Sequence, residues 1–201
     1  MRIALIPCGP TEWAEEGRLL GRVELPLAAT AQQQCGRWVE QLKPLGVRKL
    51  VHGPDELTTM TAELLARQLS VPTKAAADLA EVDLGLWAGL TEGQLKARYA
   101  TAHRELCEAP LSVNPPEGEA LRVATDRLEG CLRKLLRKNG GTPLGVVLRP
   151  LSFALAKNAL EGGDCSTVWE TALHCDEPIM IDAVEREGPA QLRFRLCVGA
   201  L

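Results

Sequence analysis

The chain opens on an unbroken apolar run, Ile3-Ala4-Leu5-Ile6, closed by Pro7, Gly9 and Pro10. A short run of this kind, ended by turn formers, predicts a fully buried parallel strand that stops and hands over to a loop. Further on, Ala31, Cys35, Trp38, Val39 and Leu42 recur at the spacing of one buried helix face, and Pro44 and Gly46 end that helix. Val47 to Val51 reads as a second strand reaching His52-Gly53-Pro54, and Asp55 as the N-cap of a helix striped by Leu57, Met60, Leu64 and Leu65. Lys74 to Ala77 predicts a short extended piece. Residues 91 to about 107 are helical in composition but weakly periodic, and Asn114 to Glu119 marks a loop. Leu121, Ala124, Leu128, Cys131, Leu132 and Leu135 then share one face of a long helix that Asn139-Gly140-Gly141 stops. Gly145 to Leu148 is another buried-strand run, after which Arg149-Pro150 opens a helix through Leu160. Ile179 to Val184 and Leu192 to Val198, around Glu187-Gly188-Pro189, read as a terminal hairpin.

Strands alternating with helices predict an α/β fold. It is expected to be a three-layer α/β/α sandwich with a mostly parallel central sheet and an antiparallel edge supplied by the terminal hairpin. The 201 residues contain no linker-like stretch, so a single domain over 1–201 is expected. Ligands in open α/β sheets sit beyond the carboxyl ends of strands, which directs attention to the loop after Ile6.

Composition narrows the partners. A formal net charge of −3 gives no reason to expect nucleic acid or an anionic membrane, and one Tyr and two Phe supply few platforms for stacking bases. No stretch approaches the ~20 apolar residues of a membrane span, and the N-terminus is too short in apolar residues for a signal peptide. Seven cysteines, an odd number without a Cys-x-x-Cys pair, indicate neither a disulfide framework nor a zinc site. A reducing cytoplasm is the expected compartment, with no cofactor and no metal.

Two stretches carry a family resemblance. Leu5-Ile6, Gly9, Thr11, Trp13, Gly17-Arg18, Gly21 and Pro26-Leu27 match, without a gap, the opening motif of the histidine phosphatase (phosphoglycerate mutase-like) superfamily. That motif reads Leu-Val-Arg-His-Gly-Glu-Thr-x-Trp-Asn, then Gly-Arg-x-x-Gly and x-Pro-Leu. The segment from Leu79 through Glu81, Gly85, Trp87, Gly89 and Leu90 resembles the family's Leu-x-Glu-x-x-x-Gly-x-Trp-x-Gly-Leu. The resemblance runs from about Ile3 to Leu160 and implies the phosphoglycerate mutase-like sandwich. It also implies phosphoryl transfer through a phosphohistidine, in which two Arg and a second His hold the phosphate and a Glu protonates the leaving group.

Carried over position by position, most of that machinery is replaced. The first Arg is Pro7, the nucleophilic His is Cys8, and the Asn after the Trp is Ala14. The second Arg falls on Leu57, with Thr61-Ala62 in register, and His52 stands where Ser is usual. The second His falls on Arg149, and Pro150 follows where the family has Gly. Only Glu81 remains of the core set. Each charge-assisted phosphate contact is worth roughly 1.5–3 kcal/mol, so losing three costs about 4–9 kcal/mol.

The resulting expectation is a family member without phosphohistidine catalysis, a binding or regulatory pseudo-enzyme that takes an unidentified small molecule or protein in a remodelled cleft. The cleft is expected to be lined by Pro7, Ala14, Arg18, His52, Leu57, Arg149 and Pro150, with Cys8 and Glu81 at the catalytic positions. Arg149 should lie near Glu81, as a salt bridge or as an anion hook. The alternative is an active phosphomonoester hydrolase or mutase using Cys8, Glu81 and Arg149. Cys8 is read as a buried, unreactive thiol, the other reading being a thiolate activated by Arg149 or His52. Glu81 could equally be a loop cap, His52 a hydrogen-bonded structural residue and Arg18 a solvated side chain. Cys8, His52 and Glu81 lack any recognised metal-ligand spacing. A homodimer through an edge strand is left open.

Overall fold

The computed structural model describes residues 2–163 and 165–182. Five strands form one sheet: β1 (Arg2–Pro7), β2 (Leu50–His52), β3 (Thr73–Ala75), β4 (Leu144–Leu148) and β5 (Ile179–Asp182). Their order is β3-β2-β4-β1-β5. β1 pairs in parallel with β4 from Ile3 opposite Leu144 to Pro7 opposite Leu148, and β2 pairs in parallel with both β4 and β3. β5 runs antiparallel to β1 and makes the expected edge. The second strand of the expected hairpin, Leu192 to Val198, lies outside the described residues, as does Cys197.

β1 and β4 show no polar alternation because helices cover both faces. Ile3 and Leu5, with Val51, Val146 and Leu148, belong to the larger apolar core. Ala4 and Ile6, with Leu50 and Val147, point the other way into a second core. α2 (Ala31–Leu42) and α3 (Glu56–Leu69) cover the second face. α6 (Leu121–Lys138) and α7 (Pro150–Glu161) cover the first. Between them in sequence come a one-turn α1 (Glu12–Glu15), α4 (Glu92–Arg98) and α5 (Ala100–Glu108). Last is α8 (Val168–Leu173), which packs on α7.

The buried face of α2 is the predicted one, Ala31, Cys35, Trp38, Val39 and Leu42. Asp55 caps α3, accepting from Thr58 N at 3.0 Å. The predicted stripe of that helix needs correction: its buried face is Leu57, Thr58, Thr61, Ala62 and Leu65, while Met60 is 40% exposed. The row Leu57, Thr61, Leu65 at i, i+4, i+8, with Thr58 and Ala62 beside it, carries the packing, because both threonine hydroxyls find internal acceptors. The weakly periodic 91–107 stretch is two helices. Thr91 and Gln94 form a capping box for α4, and Tyr99, non-helical at φ −132° and ψ 51°, separates α4 from α5 while its ring packs on Trp87. β2 begins at Leu50 rather than Val47, after the left-handed turn at Gly46. α8 had no counterpart in the predicted elements. No helix among the described residues is long and apolar enough to cross a membrane.

Candidate functional site

β1 delivers Pro7 and Cys8 to the carboxyl edge of the sheet, where Cys8 N still donates to Leu148 O at 2.8 Å. The next residue is fixed from α3: Gly9 N donates to Thr61 Oγ1 at 2.9 Å, and that hydroxyl donates to Leu57 O at 2.7 Å. A Cβ on Gly9 would stand 2.7 Å from Leu27 Cδ2, so the Gly-Pro turn is closely packed. Thr11 then caps α1.

Glu81 arrives from the opposite side on an irregular segment that two arginines clamp. Arg22 Nε and Arg127 Nη2 donate to Glu81 O at 2.8 and 3.1 Å, and both guanidinium groups also hold the Glu119 carboxylate. Gly85, at φ +48°, lets this segment lie against residues 116–118, since a Cβ there would fall on Pro116 O.

The Glu81 carboxylate is buried and saturated. Oε1 accepts from Val82 N at 2.7 Å, Ser152 N at 2.8 Å and Ser152 Oγ at 2.8 Å, and Oε2 accepts from Leu151 N at 3.0 Å. Leu151 and Ser152 are the second and third residues of α7, whose first is Pro150, without an N–H. An internal carboxylate thus takes the anion-binding amides of the helix N-terminus. Burial pushes the Glu81 carboxyl above its usual range, and the hydrogen bonds from Val82 and Ser152 and the charge of Arg149 only partly reverse this.

Arg149 lies close enough for its charge to act on Glu81, as expected, but its direct partners are others. It is 1% exposed, donates from Nη2 to Val23 O at 2.7 Å and pairs through Nη1 with Asp55 Oδ1 at 3.7 Å. Among the described residues its ion pair is with Asp55, the carboxylate that caps α3, and not with Glu81, whose oxygens are taken by Val82, Leu151 and Ser152. Nε and Nη1 have no hydrogen-bond partner among the described residues. His52 is also buried, its Nδ1–H donating to Gly53 O at 2.7 Å. Leu57 packs with Cys8 and Leu20 in a small apolar cluster bordered by Trp13, Leu25 and Leu27. Burial pushes the Cys8 thiol well above its usual range, and Arg149 offsets this only in part.

A cavity of about 410 Å³ opens beside this cluster. Of the predicted lining, Pro7, Ala14, Arg18 and Pro150 face it together with Cys8 and Glu81. His52, Leu57 and Arg149 do not, being enclosed behind it. Its far wall escaped the sequence reading: Trp169, Ala172, Leu173 and Cys175 from α8 and the turn after it, with Gln34 and Trp38 of α2. The i, i+1, i+4 recurrence of Val168, Trp169 and Ala172 is the signal that could have found α8. Among the described residues, no group of three or more His, Cys, Asp or Glu is arranged to hold a metal ion.

A mostly parallel sandwich with its cavity where β1 and β4 end is the architecture that the resemblance of the opening motif implies. The chain belongs to the histidine phosphatase superfamily (branch 1), whose model matches residues 3–188. It is 27% identical over 145 residues to the probable phosphoglycerate mutase GpmB of Citrobacter koseri, an alignment covering 72% of this chain and 67% of that protein. It is 23% identical over 176 residues to phosphoserine phosphatase 1 of Hydrogenobacter thermophilus, covering 88% and 82%. Among solved structures, Bacillus stearothermophilus YhfR superposes with a TM-score of 0.80 at 19% identity, over 98% of this chain and 95% of that one. A mycobacterial glucosyl-3-phosphoglycerate phosphatase in complex with VO3 superposes with a TM-score of 0.81 at 20% identity, over 98% of each.

Proposed function

We propose that this chain is a ligand-binding member of its superfamily that does not transfer phosphoryl groups through a phosphohistidine. The observation that carries the reading is the state of the α7 N-terminus, where Leu151 N and Ser152 N donate to Glu81 instead of standing open to a phosphate. Around it, the nucleophile position holds a neutral thiol, Leu57 fills an arginine position with carbon, and Arg149 is turned to Asp55 and Val23 O. A phosphomonoester in the cavity would meet a fully engaged carboxylate and few donors, and an unpaired dianion in such surroundings is strongly disfavoured. The exposed lining is mostly apolar, which suits a small organic molecule.

The second reading, an active phosphomonoester hydrolase or mutase using Cys8, Glu81 and Arg149, is favoured by the activities in the names of the relatives. Hydrolysis of p-nitrophenyl phosphate by wild type, Cys8→Ser and Glu81→Gln separates the two. The binding reading expects the same flat background from all three. Turnover by wild type that disappears in either variant would overturn it in favour of the hydrolase.

A further inference from the structure

We propose that the cavity selects an organic cation, an apolar body carrying one ammonium group. This deepens the binding reading and rests on it. The family motif builds this place for an anion, and the charges around it now have the opposite balance. Arg18 is the one cationic side chain among the described lining residues, and it is already engaged. Its Nε contacts Glu16 Oε2 at 2.5 Å, and its Nη1 donates to Gly89 O at 3.0 Å. Against it stand Glu15 and Asp176 at the exposed rim and Glu81 at the floor.

The other polar groups do not restore an anion site. The thiols of Cys8 and Cys175 both face the cavity and stay protonated, since burial pushes them up, Cys175 to about 12. The α7 amides are taken by Glu81. An arriving anion would therefore approach two exposed carboxylates, Glu15 also accepting from Thr30 Oγ1 at 3.0 Å, and among the described lining residues the one buried side-chain donor left without a partner is the neutral Trp38 Nε1, whereas a cation reaches the apolar walls with its charge held at the rim. The volume of 410 Å³ matches roughly a dozen waters at ~30 Å³ each, and so a compact ligand with about as many heavy atoms. An ion pair at ~4 Å in a water-like surrounding changes affinity about fivefold, so two rim carboxylates should favour a cation over a neutral analogue roughly ten- to thirtyfold.

The test is calorimetric titration of the full chain with three molecules of similar shape: benzyltrimethylammonium, benzyl alcohol and benzylphosphonate. The expected order is the ammonium first, by about tenfold or more over the alcohol at low salt, with the phosphonate weakest and the ammonium's advantage shrinking as salt is added. In the doubly substituted Glu15→Gln, Asp176→Asn chain, the ammonium and the alcohol should bind alike. Phosphonate binding as tight as the ammonium, equal binding of ammonium and alcohol by wild type, or no binding of any of the three would each overturn the inference. Turnover of p-nitrophenyl phosphate defeats the non-catalytic reading instead, so the two failures are read from different assays.

Discussion

Removing the carboxylate that plugs helix α7 should create the anion site that the chain now fills from within. In Glu81→Ala the amides of Val82, Leu151 and Ser152 lose their shared acceptor. A buried donor left without a partner costs about 1–3 kcal/mol, and because Glu81 lines the cavity, water can reach part of the space. The expected loss is therefore ~2–5 kcal/mol rather than the full sum. For a chain of this size each kcal/mol corresponds to roughly 2–4 °C, so the melting temperature should fall by about 5–15 °C. Formate can then occupy the vacated position against Leu151 N and Ser152 N. With about 100 mM formate and a dissociation constant of ~10 mM, mass action returns about 1.4 kcal/mol, or roughly 3–6 °C. The assay is thermal melting of wild type and Glu81→Ala in sodium formate and in sodium chloride at matched ionic strength. Wild type should melt alike in the two salts. A variant that melts with wild type, or that formate fails to rescue beyond chloride, would refute the assignment of Glu81 as an internal anion on the helix terminus.

Two more expectations concern the segment that presents Glu81. In the Glu119 carboxyl, burial acts upward but the hydrogen bonds and charge of Arg127 and the charge of Arg22 more than reverse it, leaving the group below its usual range. A depressed carboxyl contributes stability above its unfolded value of about 4.3 and loses it as pH falls through the folded value. Glu119→Gln should thus unfold in urea with ~2 kcal/mol less stability at neutral pH, and the gap to wild type should close below about pH 4; a gap that persists unchanged there contradicts the linkage. Gly85→Ala forces a side chain into a positive-φ position and onto the backbone of Pro116 and Glu117, and should cost at least ~2 kcal/mol by chemical denaturation. Unchanged stability would mean the two loops can separate freely.

What the sequence reveals about this chain depends on the range of the interaction. β1, α2, α6 and the Arg149-Pro150 start of α7 are legible because burial on a strand or helix face writes itself into neighbouring positions. The replacements at Pro7, Cys8 and Leu57 are legible too, since a motif frame surrounds each of them. The partner of Arg149 is not: whether its guanidinium meets Glu81 or Asp55 depends on how three distant segments converge, and no local pattern encodes that choice. The Arg22–Glu119–Arg127 cluster is hidden for the same reason, since Arg22 joins Glu119 across 97 positions. α8 was missed because six residues offer less than two turns of periodicity. Met60 misled because Thr58 and Thr61, polar by type, satisfy their hydroxyls inside α3 and so take the buried places.

The strand order also sets a timetable for synthesis. Ile3 lies opposite Leu144, so β1 cannot meet its parallel neighbour until the long stretch between these two residues has also left the ribosome. At ~5–20 residues per second that delay is on the order of ten seconds or more, during which a naked Ile-Ala-Leu-Ile segment has no native sheet partner on one side. β5, its neighbour on the other flank, is translated later still. The nascent chain therefore carries β1 without either of its sheet partners through that interval, and chaperones that shield emerging apolar segments are the natural guardians of its yield.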